Sequence, residues 1–346
     1  MCYVHFEYTL NENGGIFTQT PREIVTAAIE FKKPDRLPVI FDCFGVSDVK
    51  YVGWNQIGTG DHSKRITYDE WNCGWQRTEK ENMGQITIHP INEWGDLDSY
   101  RWPDPDNPEF YAGMERHLEG TDGYYLRTGI FMLLFERLHG LRGFENTLMD
   151  LYLERERIEK LADRIVEFDL RIIENIHSRF PDQIDGFSFT DDWGTELSLF
   201  INPNMWKAFF KPRYKRIFDA IHEAGWHVWM HSCGKVNDIL GDLHEIGCNV
   251  TDLQQPRTLG IEEVGKKHAG KLCFQSLCDI QHTLPSGSKE AIEAEAKLLL
   301  DCWGTDDGGF ILADYGNDEA IGVSVGMKQI MFDAFMKNDR WKGRCC

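Results

Sequence analysis

The stretch HVWMHSCGKVNDIL, residues 227–240, ends an apolar run with a histidine and a cysteine one residue apart, directly before a glycine. On an extended chain alternate side chains share a face, so His231 and Cys233 point the same way. Imidazole nitrogen and thiolate sulfur suit a borderline-soft cation such as zinc, and a site with three protein ligands keeps a position open for substrate. The competing reading is a histidine in a local hydrogen bond beside a cysteine that fills apolar space. A third ligand and a cavity at the same place would separate the two.

Other residues have types and positions that could join such a site. TDDWGTE, residues 190–196, holds adjacent Asp191 and Asp192 at the end of a strand-like run. Neighbours on a strand face opposite ways, so one of the two is expected at the active face as base, ligand or hydrogen-bond acceptor. Capping of a following helix is the alternative for the pair, because Asp accepts from the free amides of a first turn. In KLCFQSL, Cys273 shares a face with Gln275, and a thiolate arriving there could complete a site with His231 and Cys233. Asp314, in ILADYG, is a second candidate, while Cys248 and Cys278 fall at the wrong places on their strands. The tryptophans between Trp54 and Trp102 could wall an aromatic pocket, with core packing as the other reading.

The elements that must position these residues alternate. Pro21 opens an amphipathic helix, PREIVTAAIEF, and PDRLPVIFDCFG follows as a turn and a buried strand. From Tyr124 onward, strand-like runs (YYLRTGI, IDGFSFTDDWG, WHVWMHSCG, CNVTDLQQP, KLCFQSL, GGFILADYG) are separated by helical ones, among them a long helix over residues 202–225. Such alternation implies parallel strands with right-handed crossovers, and at least five successive units favour a (β/α)8 TIM barrel over an open sheet. Active residues in that fold collect at the carboxyl ends of the strands, where Asp42, Asp191, Asp192, His231, Cys233, Asp252, Gln254 and Asp314 all fall. A leader over residues 1–20 and one barrel domain over 21–346 are expected, since no repeat or linker interrupts the pattern.

The chain of 346 residues carries 56 acidic against 37 basic residues, a formal charge of −19 that would repel a phosphate backbone and argues against nucleic-acid binding. No apolar run reaches membrane-spanning length and no secretory signal opens the chain, so a cytoplasmic protein without a membrane partner is expected. Ten scattered cysteines without a compact framework point to packing, metal binding or chemistry rather than disulfides, and the Cys345–Cys346 pair is assigned no role.

Taken together, PREIVTAAIEFKKPDRLPV, TDDWGTELSLFINPNMWKAFFKPRYKRI, MHSCGKV, DIQHTLPSGSKEAIEAEAK and GGFILADYG resemble the uroporphyrinogen decarboxylase superfamily from about residue 20 to the end. The resemblance implies a (β/α)8 barrel. The tetrapyrrole decarboxylases of that superfamily carry arginines after the first strand, where VIFDCFGVSDVKYVGWN has none. Its other branch holds cobamide-dependent methyltransferases, whose H-x-C pair matches His231 and Cys233, and members with DDWG are often like the first methyltransferase of methoxyaromatic O-demethylase systems. The resemblance therefore implies a zinc-dependent transfer of methyl from a small methyl donor, an aryl methyl ether, to a corrinoid protein, with Asp191 or Asp192 orienting substrate or handling a proton. Thiol-methylating members have a third zinc ligand, a cysteine, just after the last strand. Gly316 stands there, so Cys273 is expected as the substitute and Asp314 as the next choice. A decarboxylase and a noncatalytic corrinoid- or aromatic-binding barrel are the rival functions.

Overall fold

The computed structural model describes residues 19–55, 65–77, 84–316 and 318–342. Most of the leader, Asn317 and the Cys345–Cys346 pair lie outside the described residues. The strands are β1 (Val39–Phe41), β2 (Val46–Ser47), β3 (Val49–Tyr51), β4 (Ile66–Tyr68), β5 (Gly74–Gln76), β6 (Gln85–Ile88), β7 (Tyr125–Ile130), β8 (Gly186–Thr190), β9 (His227–His231), β10 (Val250–Leu253), β11 (Cys273–Ser276) and β12 (Phe310–Ala313). Nine of them form one sheet in the order β2-β1-β12-β11-β10-β9-β8-β7-β3. All neighbours in it are parallel except β1 and β2. The result is a nearly closed TIM barrel with helices around it, as the alternation of elements predicts.

The seam is held at Asp48. Its N–H donates to the Val39 carbonyl at 2.8 Å, and its own carbonyl accepts from Tyr125 N–H at 3.0 Å, so one residue bridges β1 and β7. Its buried carboxylate takes two nitrogens of Arg36 at 2.8 and 2.6 Å and the Val39 amide at 2.8 Å. Both charges are thereby paired and hydrogen-bonded, the condition under which burying them is tolerable.

Inside the barrel the lower layer is apolar. Ile40, Val49, Tyr125, Trp229, Val250, Cys273 and Ile311 meet there, and Val25 and Ile29 of the helix Pro21–Ile29 close it from below. That helix begins as its sequence requires, with Pro21 in the first turn and a reciprocal capping box between Thr20 and Glu23. A larger apolar cluster fills the space between the strands and the outer helices.

Two departures from the expected elements have local causes. The long helix over 202–225 is two helices, Pro203–Phe209 and Lys211–Glu223, because Pro212 has no N–H to donate and its ring crowds the preceding turn. Between β3 and β7, strands β4–β6 form a separate antiparallel sheet. The segment that carries it buries Trp71 under the Arg137 guanidinium, which pairs with Asp69 at 2.8 Å. Trp54, Trp71, Trp94 and Trp102 therefore pack in or against the core, the second of the two readings given above, while the half-buried Trp75 packs on Phe131. Among the described residues no helix is long and apolar enough to cross a membrane.

Candidate active site at the barrel mouth

Above the apolar layer, a cavity of about 530 Å³ opens at the carboxyl ends of the strands. Its wall includes Glu136, Asp192, His231, Cys233 and Asp252, with Arg127 reaching in from β7. Backbone pairing places His231 beside Asp252, and Asp252 beside Gln275, so these three inward side chains stand at one level.

The loops after β8 and β9 are zipped together. Trp193 N–H donates to Ser232 Oγ at 3.0 Å, Gly194 N–H to the Cys233 carbonyl at 3.2 Å, and Lys235 N–H to the Thr195 carbonyl at 2.7 Å. Such proximity needs glycine on both sides: a Cβ on Gly234, whose φ is +78°, would lie 2.2 Å from the Gly194 carbonyl oxygen. The zip delivers Asp192 to the pair found in the sequence. Asp192 Oδ1 accepts from Cys233 N–H at 2.7 Å and lies 3.6 Å from His231 Nε2, while Cys233 Sγ is 3.4 Å from the same nitrogen. One ligand atom from each of Asp192, His231 and Cys233 lies within 4.8 Å of the others, a geometry that could hold a metal ion.

His231 is oriented from behind. Its Nδ1 bonds Asp252 Oδ2 at 3.2 Å, leaving Nε2 facing Asp192 and Cys233. Burial opposes a charge on this ring, but Asp252 and the Cys233 sulfur outweigh it and hold its pKa well above the ordinary value. Burial pushes the Cys233 thiol up, and the His231 ring works against that shift. An imidazole clamped by a carboxylate on its far nitrogen is the usual support of a metal-bound histidine. The nitrogen, sulfur and oxygen donors also match what zinc accepts. The residues present therefore fit the ion.

The adjacent aspartates part company. Asp191 is fully buried and accepts from the N–H groups of Leu134, Phe135 and Glu136, at 3.0, 2.9 and 2.6 Å, and from the Tyr214 hydroxyl. It caps the start of the helix Phe135–Arg142, while Asp192 faces the mouth. Cys273 is not brought to the cluster. It pairs in register with Val250, which pairs with Trp229, so it stands two residues below the level of His231, about 7 Å deeper at the usual strand rise. Its side chain belongs to the apolar plug, where burial pushes the thiol far up. Asp314 is not brought there either: it is held by Lys328 Nζ at 2.6 Å.

Two mouth residues escaped the sequence reading. Arg127 sits mid-strand in YYLRTGI, and Glu136 opens a helix within LLFERLHG; in both, a charge interrupting an apolar run was the available signal. Glu136 Oε2 accepts from the Thr190 hydroxyl at 2.6 Å. Its pKa is pushed up to about 8, by burial first and then by Asp192 and Asp191. A carboxyl raised from 4.5 to about 8 on folding binds its proton more tightly in the folded state. The stability it confers is complete below about pH 4.5 and disappears as pH rises through about 8. Melting temperatures of the metal-free protein, followed from about pH 5 to about pH 9, should fall more steeply for the wild type than for Glu136→Gln. Parallel curves would show that Glu136 is ionised in the folded state.

The family model described as Uroporphyrinogen decarboxylase (URO-D) matches residues 127–334, more than half of the chain. Comparison with curated protein sequences finds no match. Among solved structures, a methyltransferase from Methanosarcina mazei superposes with a TM-score of 0.66 at 14% identity, covering 92% of this chain and 99% of that one. An intracellular xylanase from Thermoanaerobacterium saccharolyticum reaches a TM-score of 0.38 at 13% identity, over 64% of this chain and 76% of that one. A D-psicose 3-epimerase reaches 0.37 at 12% identity, over 66% and 83% respectively. At these identities the likeness is one of fold, and only the first extends over nearly the whole of both chains.

Proposed function

The chain belongs to the uroporphyrinogen decarboxylase family, and from that premise we propose that it is a methyltransferase that moves a methyl group from a small aryl methyl ether to a corrinoid carried by a separate protein. The observation that carries this reading is the cluster of Asp192, His231 and Cys233 at an open barrel mouth, with His231 clamped by Asp252. These three residues would hold a zinc ion, and Asp192 takes the place that the sequence alone assigned to Cys273. Bound there, zinc would supply Lewis acidity to the oxygen that loses its methyl group.

The chain's own residues do the rest. Asp252 keeps His231 Nε2 aimed into the cavity. Ile130, Phe131, Phe189, Met230 and Ile280 line the cavity wall, and their apolar surface limits the water around the reacting atoms. Glu136, whose carboxyl burial pushes up to about 8 in the metal-free protein, lines the same cavity and is placed to give a proton to an oxygen leaving as an alkoxide or phenolate. The resemblance to the solved methyltransferase supports the reading through fold alone, and the absence of arginines after β1 stands against tetrapyrrole decarboxylation.

The test uses free cob(I)alamin as acceptor and a panel of aryl methyl ethers as donors, following the spectral change as methylcobalamin forms. Zinc-loaded protein is expected to catalyse transfer, chelator-stripped protein to lose it, and added zinc to restore it. Transfer that survives chelation would remove the metal from the mechanism. No transfer from any donor with zinc-loaded protein would overturn the proposed activity.

A further inference from the structure

At the floor of the mouth lies a guanidinium without a counter-ion. The Arg127 side chain leaves β7 and crosses the barrel to β11, where Nη1 donates to Gln275 Oε1 at 3.2 Å. The guanidinium rests over the Trp229 ring, 4.8 Å from its centroid. Its Nε is buried and has no hydrogen-bond partner, and among the described residues no carboxylate is within ion-pair distance of it. The more deeply buried arginines among the described residues are treated differently. Arg36 is paired with Asp48, Arg137 with Asp69, Arg142 with Asp150 and Arg213 with Asp163, all at 2.6–2.8 Å. A buried cation is costly unless paired, and its fork of N–H donors matches the two oxygens of a carboxylate. Asp252 attracts Arg127 from a distance, but burial still lowers its pKa from the ordinary value.

The cavity above this group is aromatic. Tyr51, Phe131, Phe189, Trp229 and Tyr315 line it together with Arg127. Arg127 and the residues Asp192, His231 and Cys233 line the same cavity, and the aromatic wall between them suits one aromatic ring with substituents at opposite ends.

We propose that Arg127 is the anchor for a carboxylate on the substrate, so that the cavity takes a small aryl carboxylate whose opposite end lies against Asp192, His231 and Cys233. This deepens the methyltransferase reading and rests on it only for what happens at that opposite end. Gln275 holds one arm of the guanidinium and leaves the others for the ligand.

Binding can be measured without turnover. Calorimetric titration of chelator-stripped protein with 4-methoxybenzoate, and with its neutral counterpart methoxybenzene, separates recognition of charge from recognition of the ring. The carboxylate is expected to bind at least about tenfold more tightly, the worth of one charge-assisted hydrogen-bonded pair. Arg127→Met should erase that preference, and Arg127→Lys should keep only part of it, having charge without the fork. Gln275→Glu leaves the arginine in place but gives it an internal carboxylate, so it too should abolish the preference even if Arg127→Met fails to fold. Equal binding of the two probes, no saturable binding of 4-methoxybenzoate in the millimolar range, or a preference that survives in Gln275→Glu would each overturn the assignment. A preference for the carboxylate in a protein that transfers no methyl group would uphold the anchor and refute the proposed activity.

Discussion

Replacing Asp191 with alanine is expected to lower folding stability by about 3–5 kcal/mol, with a fall in melting temperature of about 5 °C or more for a chain of this size. The carboxylate is fully buried, and its removal strands three backbone N–H groups and the Tyr214 hydroxyl in an interior that water does not reach. Each abandoned donor costs about 1–3 kcal/mol, partly relieved by relaxation of the helix start. Asp191→Asn keeps an acceptor oxygen and should lose roughly half as much. Asp192→Asn, one residue away, is the control: its carboxylate faces the cavity at 38% exposure, and the melting temperature should stay within about 2 °C of wild type while methyl transfer falls. Thermal unfolding of the three variants checks this directly. A larger loss for Asp192→Asn than for Asp191→Ala would reverse the two assignments.

That contrast shows where the sequence is informative and where it stops. Alternation on a strand states that Asp191 and Asp192 face opposite ways, but not which faces the mouth. The deciding facts are the helix start at Phe135 and Tyr214, which come from residues distant in sequence and meet Asp191 only in the folded barrel. The barrel itself was legible because each strand is an apolar run followed by a helical period, and that pattern is local. The depth of a residue inside the barrel is not local. Cys273 points inward, as its spacing from Gln275 implies, but its layer depends on the register of β9, β10 and β11. Gln275, not Cys273, stands level with His231. Asp252 could be listed among the strand ends, yet its bond to His231 Nδ1 again requires that register. Arg127 and Glu136 escape the sequence for a related reason: nothing near either of them in the sequence marks it as facing the mouth.

The metal assignment carries the second large expected effect. Zinc titrated into chelator-stripped protein should bind at one site, and His231→Ala should weaken it by about a hundredfold or more, since an imidazole whose far nitrogen is already held by Asp252 loses both ligand and support. Cys233→Ser should have an effect of similar size. Asp252→Asn, which touches His231 and not the ion, should cost about ten- to a hundredfold. Asp192→Asn should fall in the same range or above it, because the carboxylate oxygen is the third donor within 4.8 Å. Cys273→Ser should leave zinc affinity unchanged, its sulfur being enclosed among Val25, Trp229 and Val250 beneath the mouth. Cobalt substitution then counts the sulfur ligands, because thiolate coordination gives a charge-transfer band that nitrogen and oxygen donors lack. The wild type and Cys273→Ser should show the band of a single thiolate, and Cys233→Ser should show none. A weaker band or reduced zinc affinity in Cys273→Ser would mean that the strand register shifts on metal binding, and Asp192 would then lose its place as the third ligand.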